Sequence, residues 1–381
     1  MGGGFSQAAT FVYKAIMKLL FIAPSGLQFT AQTPEHAPLG GTESCAAWLT
    51  RHLVARGHDV TLVADLPPGT PPMVAGVRHV AFADTSEEFF TAGDFDAIIT
   101  ISSPHWTETL KRAAPRALQV AWIHMMPDQP ALATLWPQAP HIDCALFVSR
   151  FQETAMRYPG VSHVIGNGIA PPFENLFASP AELLAAKQNR AVYTSAPYRG
   201  LNILVPAFAQ AQVATELDIY SGMATYQQAD TAGLAVLYDS ARNTPRCHLH
   251  GPVSQQELAA RLKKAAFLTF PCLFEETYCI AALEAMAAGA KMISTQWAAL
   301  PETTLGHADL MPIAGLPYQE IPGLFARRIE ANVADYLARP EEWAQERFAQ
   351  AQDITHRTSW RTRAAEWEMF LSRAIAWKQG A

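Results

Sequence analysis

Three acids stand close together in FEETYCIAALEAMAAGA, residues 274–290: Glu275, Glu276 and Glu284. The last is embedded in small apolar residues, where a solvated face is hard to draw. The pattern predicts a loop leaving the buried strand AFLTF (266–270), then a helix from near Tyr278 to a C-terminal cap at Gly289. At about 1.5 Å per residue, Glu284 lies roughly 9–12 Å beyond Glu276. Between them a helix N-terminus offers unpaired backbone N–H groups to an anion. That order of groups suits a sugar nucleotide. Glu276 would hold sugar hydroxyls, the N–H groups of Thr277, Tyr278, Cys279 and Ile280 the diphosphate, and Glu284 the ribose hydroxyls. The small side chains of Ala281, Ala282 and Ala285 let a ligand come close. Acids at a helix start also favour the macrodipole without any ligand, and for Glu275 that plainer reading is preferred.

Other stretches carry polar chemistry with less specificity. Gly40 and Gly41 precede a helical pattern, and paired glycines admit a phosphate or sugar to the backbone. An ordinary loop with Thr42 as N-cap explains them equally well. Arg199, in VYTSAPYRG, follows a strand and precedes a helix. It could neutralise a diphosphate or stand in solvent. His124 ends the strand LQVAWI, at the rim where a cleft would open, and a lone His there is often hydrogen-bonded structure. Val253 follows the strand CHLHG, a pattern common to any strand–loop–helix. DFD (94–96) imitates a metal-binding D-x-D, but it directly precedes AIITIS and is better read as the turn feeding that strand. No metal is expected.

The elements that must position these groups alternate along the chain. KLLFIA (18–23), DVTLVA (59–64), AIITIS (97–102), LQVAWI (118–123) and CALFVS (144–149) read as strands, with helical patterns at 42–57 and 150–159 between them. VIGNGIAPPFENLF (164–177) interrupts both periodicities. A second series follows: AVYTS (191–195), LDIYS (217–221), CHLHG (247–251), AFLTF (266–270) and KMIST (291–295). SQQE (254–257) is a capping box. Such alternation predicts an α/β class: two parallel sheets with helices on both faces, and ligands outside the carboxyl ends of the strands. The expected division is an extension over 1–16, an N-terminal domain over 17–170 and a C-terminal domain over 171–358. The last helix, 359–381, should return to the first domain.

The bulk numbers agree. With 381 residues, 50% hydrophobic and 16% charged, the chain suits two domains. A net charge of −6 gives no field that favours nucleic acid. Five scattered cysteines without a C-x-x-C pair argue for a reducing compartment and against a disulfide framework or structural zinc. Lys14 and Lys18 break the apolar N-terminus into pieces shorter than a membrane span, and it lacks the ordered regions of a signal peptide. A cytoplasmic protein is expected, with peripheral contact at the inner face of a membrane left open. The basic cluster Lys111, Arg112 and Arg116 is more often a solvated helix face.

EETYCIAALEAMAAGAKMIST, followed by ALPET, resembles the signature of family 4 glycosyltransferases, which have the GT-B fold. Glu276, Glu284, Pro301 and Glu302 stand at the matching places. The resemblance implies two Rossmann-like domains facing each other across a cleft and a retaining, metal-independent hexosyl transfer. The donor would be a UDP- or GDP-linked sugar, and the acceptor a sugar, a lipid-linked molecule or another unidentified group. It places Gly40 and Gly41 over the donor diphosphate, His124 beside the transferred sugar and Val253 along the nucleobase. Arg199 stands where the family has a Lys, and TSA replaces an upstream Arg. Cys279 stands where the family commonly has Gly. Those departures keep two other functions in view, sugar-nucleotide binding without transfer and epimerisation on the same fold. A nicotinamide-dependent dehydrogenase is disfavoured, because no G-x-G-x-x-G follows a strand.

Overall fold

The computed structural model describes residues 16–380, so the expected N-terminal extension falls outside the described residues except for Ile16. The first apolar series forms one eight-stranded sheet: β1 (Lys18–Ala23), β2 (Asp59–Ala64), β3 (Met73–Val74), β4 (Val77–Ala81), β5 (Ala97–Ile101), β6 (Leu118–Ile123), β7 (Cys144–Phe147) and β8 (Ser162–Val164). Its order is β3-β4-β2-β1-β5-β6-β7-β8. Every pairing is parallel except the β3–β4 hairpin, which turns on Ala75 and Gly76. The second series forms β9 (Gln188–Tyr193), β10 (Glu216–Ile219), β11 (Cys247–Leu249), β12 (Ala265–Phe270), β13 (Lys291–Thr295) and β14 (Asp309–Met311). Their order is β11-β10-β9-β12-β13-β14, all parallel.

The inner strands β5, β6 and β12 are buried along their whole length, as continuous apolar runs covered on both faces require. The short strands β3, β4, β8 and β14 had no such signal. They lie at or next to sheet edges, partly exposed, where apolar runs are not needed.

Two crossings between the sheets run side by side. Ile169 N–H donates to Thr358 O at 2.8 Å, and Trp360 N–H to Ile169 O at 3.4 Å. Gly168 is required there, since a Cβ would lie 2.6 Å from the Trp360 ring. The final helix, Trp360–Gly380, then packs on the first sheet. Trp367 meets Trp122 edge-on at 4.9 Å and Phe21 at 6.1 Å.

Beneath the second sheet, the buried Lys187 ammonium donates to Leu262 O, Ala265 O and Ala288 O at 2.9, 2.7 and 2.6 Å. This ties the start of β12 to the end of the helix Ile280–Ala287, the two elements that frame the acid-bearing loop. No described helix is long and apolar enough to cross a membrane.

Candidate active site

Parallel strands place their carboxyl ends on one edge, and the candidate groups follow those ends. His124 follows β6, Arg199 lies beyond β9, Val253 beyond β11 and Glu276 beyond β12. They meet across a cleft of about 800 Å³ lined from both sheets. The volume is within the range of small-molecule sites.

The helix bearing Glu284 starts at Ile280, two residues later than the sequence pattern suggests. Cys279 is its N-cap and adopts a left-handed conformation, φ 65° and ψ 77°. For a residue with a Cβ that conformation costs about 1 kcal/mol or more and persists only where the surroundings impose it. Thr277 and Tyr278 therefore belong to the loop. The backbone N–H groups of Tyr278, Cys279 and Ile280 make no hydrogen bond to any described residue. All three residues line the cleft, so the N–H cluster sits at the loop–helix junction. Thr277 Oγ1 donates to His124 O at 2.9 Å, tying this loop to the opposite wall.

Glu276 and Arg199, read separately in the sequence, form an ion pair. Arg199 Nη1 donates to Glu276 Oε1 at 2.7 Å and to Oε2 at 2.8 Å. Burial would weaken the guanidinium's hold on its proton, but the adjacent Glu276 carboxylate outweighs that and its pKa stays above the ordinary value. The guanidinium also lies over the Phe274 ring at 4.7 Å. Gly200 makes the pairing sterically accessible. Its φ is +112°, and a Cβ there would collide with Pro271 O in the loop leaving β12.

Glu284 is buried at 5% exposure. Burial pushes its pKa up to about 8, against a hydrogen bond from Gln255. Gln255 Nε2 donates to Glu284 Oε1 at 2.9 Å, and Trp48 Nε1 donates to Gln255 Oε1 at 2.6 Å.

On the facing wall Gly40 is the N-cap of the helix Gly41–Ala55, so Thr42 is not the cap. Gly41 lines the cleft and approaches the Ile280 side chain, while Gly40 is not among the lining residues. A Cβ on Gly40 would collide with Glu43 Oε2. Glu43 is buried in the lining, its pKa raised by burial against hydrogen bonds from its own backbone N–H and Ser25. His124 donates its backbone N–H to Ser102 Oγ at 3.1 Å, and its ring packs 4.4 Å from Trp122. Its Nε2 is buried without a partner among the described residues. Burial pushes the imidazole pKa down to about 3, so the ring is neutral at physiological pH. Val253 lines the cleft near Tyr220, which stacks on His250 at 4.9 Å and 15°.

Asp94 and Asp96 lie at the other end of the strands. Asp94 turns the chain with φ 44°, and Asp96 Oδ2 accepts from Lys18 N–H at 2.8 Å at the start of β1. Among the described residues, no group of three or more His, Cys, Asp and Glu is arranged to hold a metal ion.

Residues 190–332, which contain Arg199, Val253, Glu276 and Glu284, match the family described as glycosyl transferases group 1. This segment is a group 1 glycosyltransferase domain. Over the whole chain the likeness to solved structures is one of fold. Sucrose-phosphate synthase from Thermosynechococcus elongatus superposes with a TM-score of 0.71 at 17% identity, covering 94% of this chain and 99% of that one. HepE from Anabaena, solved in complex with UDP and glucose, gives 0.70 at 14%, covering 94% and 100%. A glycosyltransferase from Rickettsia africae gives 0.72 at 12%, covering 94% and 98%. No curated protein sequence matches. The architecture is GT-B, with two Rossmann-like sheets facing one cleft.

Among the described residues lining the cleft, Arg199 is the only Lys or Arg, against Glu43, Glu275, Glu276 and Glu284. Four ionised acids would repel a diphosphate. With its pKa pushed up to about 8, Glu284 reduces that repulsion near neutral pH, burial shifts Glu43 in the same direction, and Glu276 is held by Arg199. Glu43, Trp48 and Gln255 carry no signal in the sequence that would single them out. Neither do Gln28 and Gln227, which bind each other reciprocally across the cleft at 2.9 and 2.8 Å.

Proposed function

We propose that the chain is a retaining glycosyltransferase that moves a hexosyl group from a UDP- or GDP-linked sugar to an acceptor, in glycan, polysaccharide or glycolipid synthesis. One observation carries the reading. Unpaired backbone N–H groups at Tyr278–Ile280 lie between a buried Glu276–Arg199 pair and the buried Glu284, on one wall of the cleft. That is a sequence of sugar, diphosphate and ribose subsites along one loop and helix. The binding of UDP and glucose by HepE, which shares the fold, supports it.

In this reading the N–H groups of Thr277, Tyr278, Cys279 and Ile280, together with Arg199, hold the diphosphate, with Gly40 and Gly41 closing from the other wall. Stabilising the charge on the departing diphosphate is the main catalytic task. The acceptor hydroxyl attacks from the face the diphosphate leaves, and the diphosphate itself takes the hydroxyl proton. No side chain then has to act as base. Glu276 positions the sugar, and Arg199 fixes the Glu276 carboxylate. Neutral His124 offers Nε2 to a sugar hydroxyl as hydrogen-bond partner, and Val253 lies along the nucleobase. No metal is assigned a role. Closure about the paired crossings near Ile169 and Trp360 would exclude water from the donor. The first sheet and its loops would hold the acceptor. We place the protein in the cytoplasm.

Thermal melting with a panel of nucleotide sugars tests this. A ligand that binds only the folded state at a hundred times its Kd adds about 2.7 kcal/mol. At least one UDP- or GDP-sugar should raise Tm by several degrees, while the corresponding free sugar does not. A panel in which no nucleotide sugar raises Tm overturns the reading.

A further inference from the structure

Trp48 belongs to the helix Gly41–Ala55 on the first sheet, whereas Gln255 and Glu284 belong to the second. The hydrogen bonds between them run in one direction. The indole N–H only donates, so the Gln255 oxygen must face it and the amide NH2 must face away. That NH2 donates to Glu284 Oε1, and Oε2 has no described hydrogen-bond partner. Trp48 is itself fixed, 2% exposed, with the Arg51 guanidinium 4.3 Å over its ring.

Other contacts also cross the cleft. Gln28 and Gln227 exchange hydrogen bonds, and Glu302 accepts from the backbone N–H groups of Arg150 and Phe151 at 2.9 and 3.1 Å. Neither reaches an acid of the site. The Trp48 contact reaches Glu284 through a single side chain.

We propose that Trp48 is a positioning residue for the nucleotide sugar: its indole N–H fixes the Gln255 amide, which presents Glu284 to the donor ribose when the two sheets close on each other. The inference rests on the donor reading above. It makes the affinity of one wall depend on contact with the other, so that an open molecule grips the donor less well than a closed one.

Trp48→Phe keeps an aromatic side chain and removes the indole N–H together with part of the ring, so Gln255→Leu, which leaves Trp48 in place, is read beside it. Titration calorimetry with UDP-glucose and GDP-mannose should show about a tenfold loss of affinity, equivalent to about 1.4 kcal/mol. Gln255→Leu should lose as much, and adding Trp48→Phe to it should lose nothing further, because both substitutions break one relay. In turnover, the donor KM should rise while kcat at saturating donor stays within about twofold, a split that loss of core packing would not produce. Unchanged affinity in Trp48→Phe, or an undiminished loss in the Gln255→Leu background, overturns the proposal. If Trp48→Phe does not fold, Gln255→Leu alone decides, since wild-type affinity in that variant also overturns it. Wild-type protein that binds no UDP- or GDP-sugar of the melting panel, these two included, overturns the donor reading and this inference together. Binding by wild type with no effect of either substitution overturns this inference alone.

Discussion

Arg199→Ala lowers turnover by a factor of roughly 10²–10³, the scale set by removing one preorganised group that stabilises developing negative charge. It also destabilises the fold by about 3–5 kcal/mol, because the Glu276 carboxylate is left buried without its partner. The two effects separate in a double variant. Glu276→Gln in the Arg199→Ala background removes the stranded charge and should restore most of the stability, as read by urea unfolding. Turnover should not return, because both the cation and the carboxylate proposed to position the sugar are gone. Recovery of turnover in the double variant would show that Arg199 serves only to neutralise Glu276. Both Glu276 oxygens pair with Nη1, a contact that leaves Arg199 Nε buried and without a described partner.

Glu284→Gln weakens donor binding by about tenfold or more and at the same time raises the melting temperature in alkaline solution. The carboxyl is buried and titrates at about 8 when folded, against about 4.3 for an exposed glutamate. Between those values the folded protein keeps a proton that the unfolded chain has lost. Stability from this group is therefore fully present below about pH 4.3 and declines as pH rises towards about 8, where the decline ends. The glutamine carries no such proton. The Tm of Glu284→Gln minus that of wild type should grow from pH 5 to pH 8 and level off above it. Scanning calorimetry across that range reads it directly, and a difference independent of pH would refute the burial of an ionising group at this position. Loss of donor affinity together with gain of stability is the pattern expected where a strained or desolvated group is kept for binding.

Much of this site could be read from the sequence because the fold aligns chemistry with strand ends. Once the apolar runs are taken as parallel strands, His124, Arg199 and Glu276 fall on one edge by connectivity alone. Glu284 announced itself as an acid that its apolar neighbours could not explain. The pairing of Arg199 with Glu276 was not legible, because 77 residues separate them and each had its own plausible ligand. The Trp48–Gln255–Glu284 relay was less legible still. Trp48 and Gln255 are 207 residues apart and meet only because the two sheets face each other. Gln255 falls in a capping box whose pattern concerns only Ser254 and Glu257, and a tryptophan on an amphipathic helix reads as core packing. The left-handed Cys279 had no signal, since a non-glycine residue gives no local cue for positive φ, and the helix start was placed too early as a result. Thr42 looked like an N-cap for a similar reason: a side chain able to cap stood next to a glycine that does the work with its backbone alone.

The central claim is transfer with retention and without a side-chain base, and the stereochemistry of donor cleavage tests it most directly. Purified protein is incubated with UDP-glucose, or with another α-linked donor that the melting panel selects, in the absence of acceptor. Water then takes the acceptor's place, and the released sugar is followed by proton NMR before mutarotation. The account predicts that the α anomer appears first. First appearance of the β anomer would contradict it.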